Sequence, residues 1–592
     1  MILYILFIII SVIAVFFKKN MLLYCLLFFY SLSSLEANSA DLVIYNGNIY
    51  TLNELKPQAT AVAVKAGKIV FVGNYGGVEP YISENTKVFD LNGLTMLPGF
   101  IESHGHIMGL GASLTWLDLR KIEKFEDLVQ KVYKATENKK PGEWIIGYGW
   151  HQSNLDEESE VFVRGFPTHH KISKVSPENP VYLTHASGHA GIANSYAMKM
   201  AGISSFSKFD FEVFDNFLEK NDGEIILSNN GYPTGIFSES AQSLITKYFP
   251  QENNNSRDQN LEKAIQECLK NGVTTFHDAG AGKLDIDTYF RFINSGKMKI
   301  RLYVMLSGRE KKLLNEWFEK GPAIGLGNNY LTIRSIKLNA DGALGSRGAW
   351  LLEEYNDRLG HYGMSTQSME YIYEVSQKGI INGFQICTHA IGDRANREVL
   401  NQYEKVLNGF PYDINDYRFR IEHAQHLHPN DISRFYNLGI IASIQGIHLS
   451  SDRPWAIDRL GEKRINEGSY AWNSLLKSGA VIINGTDTPV ESINPIASFY
   501  SSVTRKTLNG LPSKGYEPWE KITRFQALKS YTLSPAFAAF EEDLKGSIEI
   551  GKVADFVILS DDIMTISEDK ILSTKVLYTI INGIILYDYN KI

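Results

Sequence analysis

Residues 94–106 read LTMLPGFIESHGH, a short apolar run that ends in Glu-Ser-His-Gly-His. In an extended strand, residues i and i+2 point to the same side. His104 and His106 therefore present two imidazoles side by side at the end of a strand. Taken alone, such a pair is equally two hydrogen-bonded structural histidines. Its company argues otherwise, because the same texture recurs seven more times. The later runs are GVTTFHDAG (272–280), IRLYVMLS (300–307), LTIRSIKLNADG (331–342), FQICTHAIGD (384–393), RFRIEHAQ (418–425), GIIASIQGIH (439–448) and AVIINGTD (480–487).

Helix-like segments such as SRDQNLEKAIQECLKNG (256–272) and SMEYIYEVSQKG (368–379) separate these runs. Repeated strand–helix units imply a parallel sheet, and eight of them imply an α/β fold of the (β/α)8 TIM-barrel type. In that fold the active site lies at the C-terminal ends of the strands, where the polar residues of these runs cluster. Roughly 170 residues separate the first run from the second, where a barrel normally needs a few tens. An inserted subdomain over about 115–260 is expected there, emerging at the catalytic face. Its aromatic residues Trp144, Tyr148, Trp150 and Tyr182 are expected either to line a pocket or to fill a core.

The two ends of the chain read differently. Asn-Gly and Gly-Lys turns break residues 41–95 into short alternating strands, and residues 536–592 repeat that texture. Together they predict a small β-sandwich flanking a barrel over 96–535. Residues 1–17 are uncharged and apolar but for Ser11, Lys18 and Lys19 follow, and a second apolar run starts at Met21. This pattern predicts a secretory signal or membrane anchor over 1–40, hence export to the periplasm or beyond the cell. The chain has 592 residues, of which 44% are hydrophobic, enough for a large core. A net charge of −7 without a basic run offers no footprint for nucleic acid. Three scattered cysteines, one of them in the leader, make no disulfide framework.

Further metal-ligating residue types end later runs: His389, His423 and Asp487. Four histidines and a carboxylate suit zinc with one position left open to water. Asp487 also suits general base and acid chemistry, with capping of the following helix as its alternative. Lys337, flanked by Ile336 and Leu338 in a strand, is either paired with Asp341 or another carboxylate, or N-carboxylated and bridging two metals.

With these motifs in place, the chain resembles the amidohydrolase superfamily, and within it the group containing N-substituted formamide deformylase-like proteins. LPGFIESHGH (97–106), GWHQ (149–152), GHAGIANSYA (188–197), KLNADGALGSRGA (337–349), THAIGDRAN (388–396), RIEHAQ (420–425), NGTDTPV (484–490) and GSIEIGKVADFVIL (546–559) carry the resemblance. It covers about residues 41–590. It implies metal ligands His104, His106, Lys337, His389, His423 and Asp487, with Lys337 carboxylated by CO2. It implies substrate-facing positions at His189, Gln445 and His448, and it allows a homodimer. Arg347, Asp393 and Arg394 are expected to be structural or pocket-lining, and His185 to tune the substrate or sit satisfied in the core. GTDTP stands where relatives often have GSDxP, leaving the aspartate in place.

The implied reaction is hydrolysis of a non-peptide C–N bond of an amide or formamide. One or two zinc ions activate a water whose proton passes to Asp487 and then to the leaving nitrogen. Ring deamination or ester and lactone hydrolysis on the same site is the alternative, and beyond it a non-catalytic metal-binding protein.

Overall fold

A computed structural model describes residues 39–120, 122–152, 155, 162–205, 207–210, 223–250, 252–410 and 417–591. The predicted leader lies almost wholly outside the described residues. Among the described residues, no helix is long and apolar enough to cross a membrane.

Eight strands form the centre: β1 (Phe100–Gly105), β2 (Val273–Ala281), β3 (Arg301–Ser307), β4 (Leu331–Asn339), β5 (Gln385–Ala390), β6 (Arg420–His423), β7 (Ile441–Ile444) and β8 (Ile482–Asn484). They pair in sequence order, and every pair is parallel. The ring closes just past β8. Asp487 N donates to His104 O at 2.8 Å, and His106 N donates to Thr488 O at 2.7 Å. This is a TIM-type barrel, and its closure stitches the last metal-ligand candidate to the first two.

The outward faces of the strands pack on the surrounding helices in one apolar core containing Phe276, Leu302, Ile333, Ile386, Ile421 and Ile482. The helix Asn254–Lys270, capped by Asn253 and Ser256, supplies Leu261, Ile265 and Leu269 to that core. It therefore packs as a barrel helix, and the structure between β1 and β2 that stands apart from the barrel ends before it. Strands Leu117–Asp118, Ile145–Trp150, Val181–His185, Ala190–Ala193, Gly223–Leu227 and Pro233–Glu239 make a separate six-stranded sheet. Trp144, Trp150 and Tyr182 are buried in the apolar clusters of this region. Core packing, not the cavity described below, accounts for them.

An eight-stranded sheet draws strands from both chain ends. Its junction is the antiparallel pair Thr95–Pro98 with Phe556–Leu559. Thr95–Pro98 runs directly into β1, and Arg301 at the start of β3 is locked to Asp555 (2.7 Å) and Asn582 (2.7 Å). The base of the barrel is thereby tied to the sheet by a buried, fully hydrogen-bonded ion pair.

Two histidines buried outside the cavity described below couple stability to pH. His169 is pushed down to about 4 by burial, reinforced by His170. Burial, with Arg464 nearby, takes His426 down to about 3. Both folded values lie below that of an unfolded histidine, so between them the unfolded chain binds more protons. Their contribution is fully present above about pH 6.5 and is lost as pH falls, at up to about 1.4 kcal/mol per pH unit for each group. Between pH 6.5 and 4.5 the urea midpoint of the unaltered protein is expected to fall more steeply than that of a His169→Gln/His426→Gln variant, because buried carboxyls raised above their usual range, Glu102 among them, act with the opposite sign in both proteins. Parallel curves would contradict the burial of these rings.

Candidate metal centre

Ligand atoms of His104, His423 and Asp487 all lie within 4.8 Å of one another. The three residues come from β1, β6 and the turn after β8, and barrel closure alone brings them together. The two imidazoles are held from behind. The Nδ1–H of His104 donates to Glu422 Oε2, and that of His423 donates to Gln445 Oε1 at 2.8 Å. With Nδ1 protonated in both rings, Nε2 keeps a lone pair directed at the shared space.

Asp487 Oδ1 lies 3.1 Å from His106 Nε2 and 3.5 Å from His104 Nε2, yet no group reaches it in hydrogen-bond geometry. Burial alone would raise the Asp487 carboxyl. The imidazoles of His106, His104 and His423 outweigh it and hold the group well below its usual range. His389 Nε2, 3.4 Å from Asp341 Oδ1, is likewise buried without a hydrogen-bond partner. Buried polar atoms are rarely left so, and two facing one space mark a place for a ligand. The imidazole and carboxylate donors there suit a borderline-hard divalent cation.

Lys337 lies on β4 with its Nζ 3.1 Å from His104 Nε2. Asp341 does not pair with it. That carboxylate instead accepts the backbone N–H groups of Ile391 (3.0 Å), Gly392 (2.8 Å) and Trp350 (2.8 Å). Burial pushes the Lys337 amine down from its ordinary value.

Beneath the ligands is a polar plug not anticipated from the sequence. Arg420, fully buried, pairs with Glu422 (Nε to Oε1, 2.7 Å) and donates to Ser103 O (2.7 Å) and His277 Nδ1 (3.2 Å). Burial would raise the Glu422 carboxyl, but Arg420 and His104 hold it well below its usual range. Glu102 accepts from Thr486 N (2.7 Å), Thr486 Oγ1 (2.9 Å) and His104 N (3.2 Å), and burial pushes it up to about 8. The available signal was alternation: Glu102 and Glu422 sit two residues and one residue before ligand candidates inside apolar strands.

These side chains open into a cavity of about 630 Å³. His104, His106, Lys337, His389, His423 and Asp487 all line it, as do His189 and His448. Gln445 is a correction. It does not line the cavity but stands behind His423, fixing that ring. His185 is satisfied on both nitrogens, by Ser187 (2.8 Å) and Gln152 (2.6 Å). Arg347 pairs with Asp357 (2.7 Å), Asp393 accepts Leu352 N (2.9 Å), and Arg394 lies over the Trp350 ring, all outside the cavity. Trp455, Asp452 and Glu491 line the wall and were not singled out from the sequence.

A model of the amidohydrolase family matches residues 87–587. The chain belongs to that family. This amidohydrolase is 34% identical to Protein LONG AFTER FAR-RED 3 of Arabidopsis thaliana, over 93% of its own length and 92% of that protein's. It is 26% identical to the N-substituted formamide deformylase of Arthrobacter pascens, over 93% and 98% respectively. Among solved structures, an uncharacterized metal-dependent hydrolase from Pyrococcus horikoshii superimposes with a TM-score of 0.69 at 25% identity, covering 89% of the amidohydrolase and 99% of that chain.

Proposed function

We propose that this amidohydrolase is a metal-dependent hydrolase of a non-peptide C–N bond of the amide or formamide type. The observation that carries the reading is the convergence of His104, His423 and the unsatisfied Asp487 Oδ1 on one buried point at the cavity floor. His104, His106, His389, His423 and Asp487 would hold zinc, and the deformylase relative supports the amide class of substrate. When bound, the cation supplies Lewis acidity, lowering the pKa of water and polarising a carbonyl.

The chain's own groups supply the rest. Asp487, kept ionised by its imidazole neighbours, takes a proton from the attacking water and returns it to the leaving nitrogen. His189 is held by Glu239 (Nδ1 to Oε2, 2.9 Å), which outweighs burial and raises the ring's pKa. Its Nε2–H is then a donor for the carbonyl oxygen as charge develops there. Lys337 is the site of carboxylation in this reading. Its amine nitrogen bonds the carbon of CO2 and releases a proton, giving a carbamate that faces His104.

Metal content per chain, measured by plasma mass spectrometry on protein purified without chelator, tests the reading. One to two zinc equivalents are expected, with two favouring a carbamate bridge at Lys337. No uptake after reconstitution with zinc and bicarbonate would overturn it. Turnover of formamides, N-acyl amino acids, cyclic amides and esters by the loaded protein then separates C–N hydrolysis from deamination and ester or lactone hydrolysis.

A further inference from the structure

Two carboxylates face the cavity on the side of β7 and β8 and play no part in holding the candidate metal ligands. Asp452 lies on the helix Gly446–Gly468, one turn beyond His448. Glu491 lies in the turn that follows Asp487. Both line the cavity, and both are half-buried. Asp452 accepts from Gln425 Nε2 (3.2 Å), which also donates to the Tyr470 hydroxyl (3.1 Å), and from Ser451 Oγ (3.3 Å). These are neutral partners. Among the described residues, neither carboxylate has a lysine, arginine or histidine nitrogen within 4.0 Å.

Arg120 acts on Glu491 from this wall without touching it, because its guanidinium is held by both oxygens of Asp118 (2.9 and 2.7 Å). Burial pushes both carboxyls up to about 7, and each raises or is raised by other acids in the cavity. Two acids in a desolvated wall with no cation in contact are costly unless a ligand supplies one. A separate observation points the same way. His448 Nε2, on the same helix face, is buried and unpartnered in the same cavity. Across the mouth, Arg309 follows β3, which a closed eight-stranded ring places opposite β7. A cationic ligand is thus repelled from one rim and drawn to the other.

We propose that Asp452 and Glu491 form a subsite for a cationic, N–H-rich group of the substrate, an amino or guanidino function, with His448 completing its polar contacts. The proposal deepens the hydrolase reading by naming the substrate class: amides that carry a basic group on one side of the scissile bond. Charge-assisted hydrogen bonds to two carboxylates give that group both affinity and direction.

Benzylguanidine and benzylurea are suitable probes. They have nearly the same shape, and the guanidinium has no lone pair to offer a metal. Calorimetric titration of the full-length, zinc-loaded protein is expected to show benzylguanidine binding about tenfold tighter or more. In the Asp452→Asn/Glu491→Gln double variant the two probes are expected to bind within about twofold of each other. Equal affinities in the unaltered protein would overturn the proposal, and that comparison needs no variant to fold. A preference surviving in the double variant would overturn it as well. The comparison can be repeated on metal-free protein, so failure of the subsite is distinguishable from failure to take up zinc.

Discussion

Asp487→Asn is expected to retain its metal and to lose about 10²- to 10⁴-fold in turnover. The substitution is nearly isosteric. Asp487 has φ +56°, a left-handed conformation that Asn and Asp tolerate better than other side chains, so the turn survives. The backbone hydrogen bond from Asp487 N to His104 O (2.8 Å) survives too. Four imidazoles remain to hold the ion, and the Asn carbonyl oxygen can take the place of Oδ1. What disappears is an ionised oxygen able to accept a proton. Burial argues against ionisation at this site, and the three imidazoles reverse that argument. The check is single-turnover kinetics alongside metal content. Turnover equal to that of the unaltered protein would remove Asp487 from proton transfer while leaving its place among the ligands open.

Arg420→Met is expected to destabilise the fold by about 3–5 kcal/mol. Arg420 is fully buried, and its guanidinium is what keeps the Glu422 carboxylate charged inside the barrel. Removing one partner leaves the other charge desolvated, which costs more than the pair was worth. The effect reaches the metal centre through His104, whose Nδ1–H donates to Glu422. Without its guanidinium the buried Glu422 carboxylate takes up a proton, and neutralising such a supporting carboxylate weakens metal affinity by about 10- to 100-fold. Urea unfolding measures the first effect and zinc competition the second. Glu422→Gln added to Arg420→Met should recover part of the stability, because it removes the orphaned charge, but none of the zinc affinity. A loss below about 1 kcal/mol in the single variant would show that Glu422 finds another partner.

Much of the architecture was legible because it is written in local terms. Apolar runs of strand length, each ending in a polar residue and followed by a helical pattern, describe a parallel barrel without reference to any distant contact. Each of the eight runs corresponds to one barrel strand. The same locality exposed His104, His106, Lys337, His389, His423 and Asp487, since strand ends are where a barrel presents its chemistry. Gln445 was misplaced for a matching reason. Its position after β7 says that it is near the mouth, but only the packed structure says that its amide turns back to His423. Trp150 and Tyr182 were ambiguous because an aromatic residue reads alike whether it lines a cavity or fills a core.

The sequence by itself determined the succession of strands and helices, the residues able to bind a cation, and membership of a family. Tertiary structure decided which nitrogen of each imidazole faces the shared space. It decided that Lys337 is not tied to Asp341, and that Asp452 and Glu491 share a wall. The reason is distance along the chain. His104 and Glu422 are 318 residues apart, and their contact exists only because the barrel closes. Strand periodicity needs a few neighbouring residues to declare itself. The protonation and orientation of a ligand depend on partners that no local pattern can name.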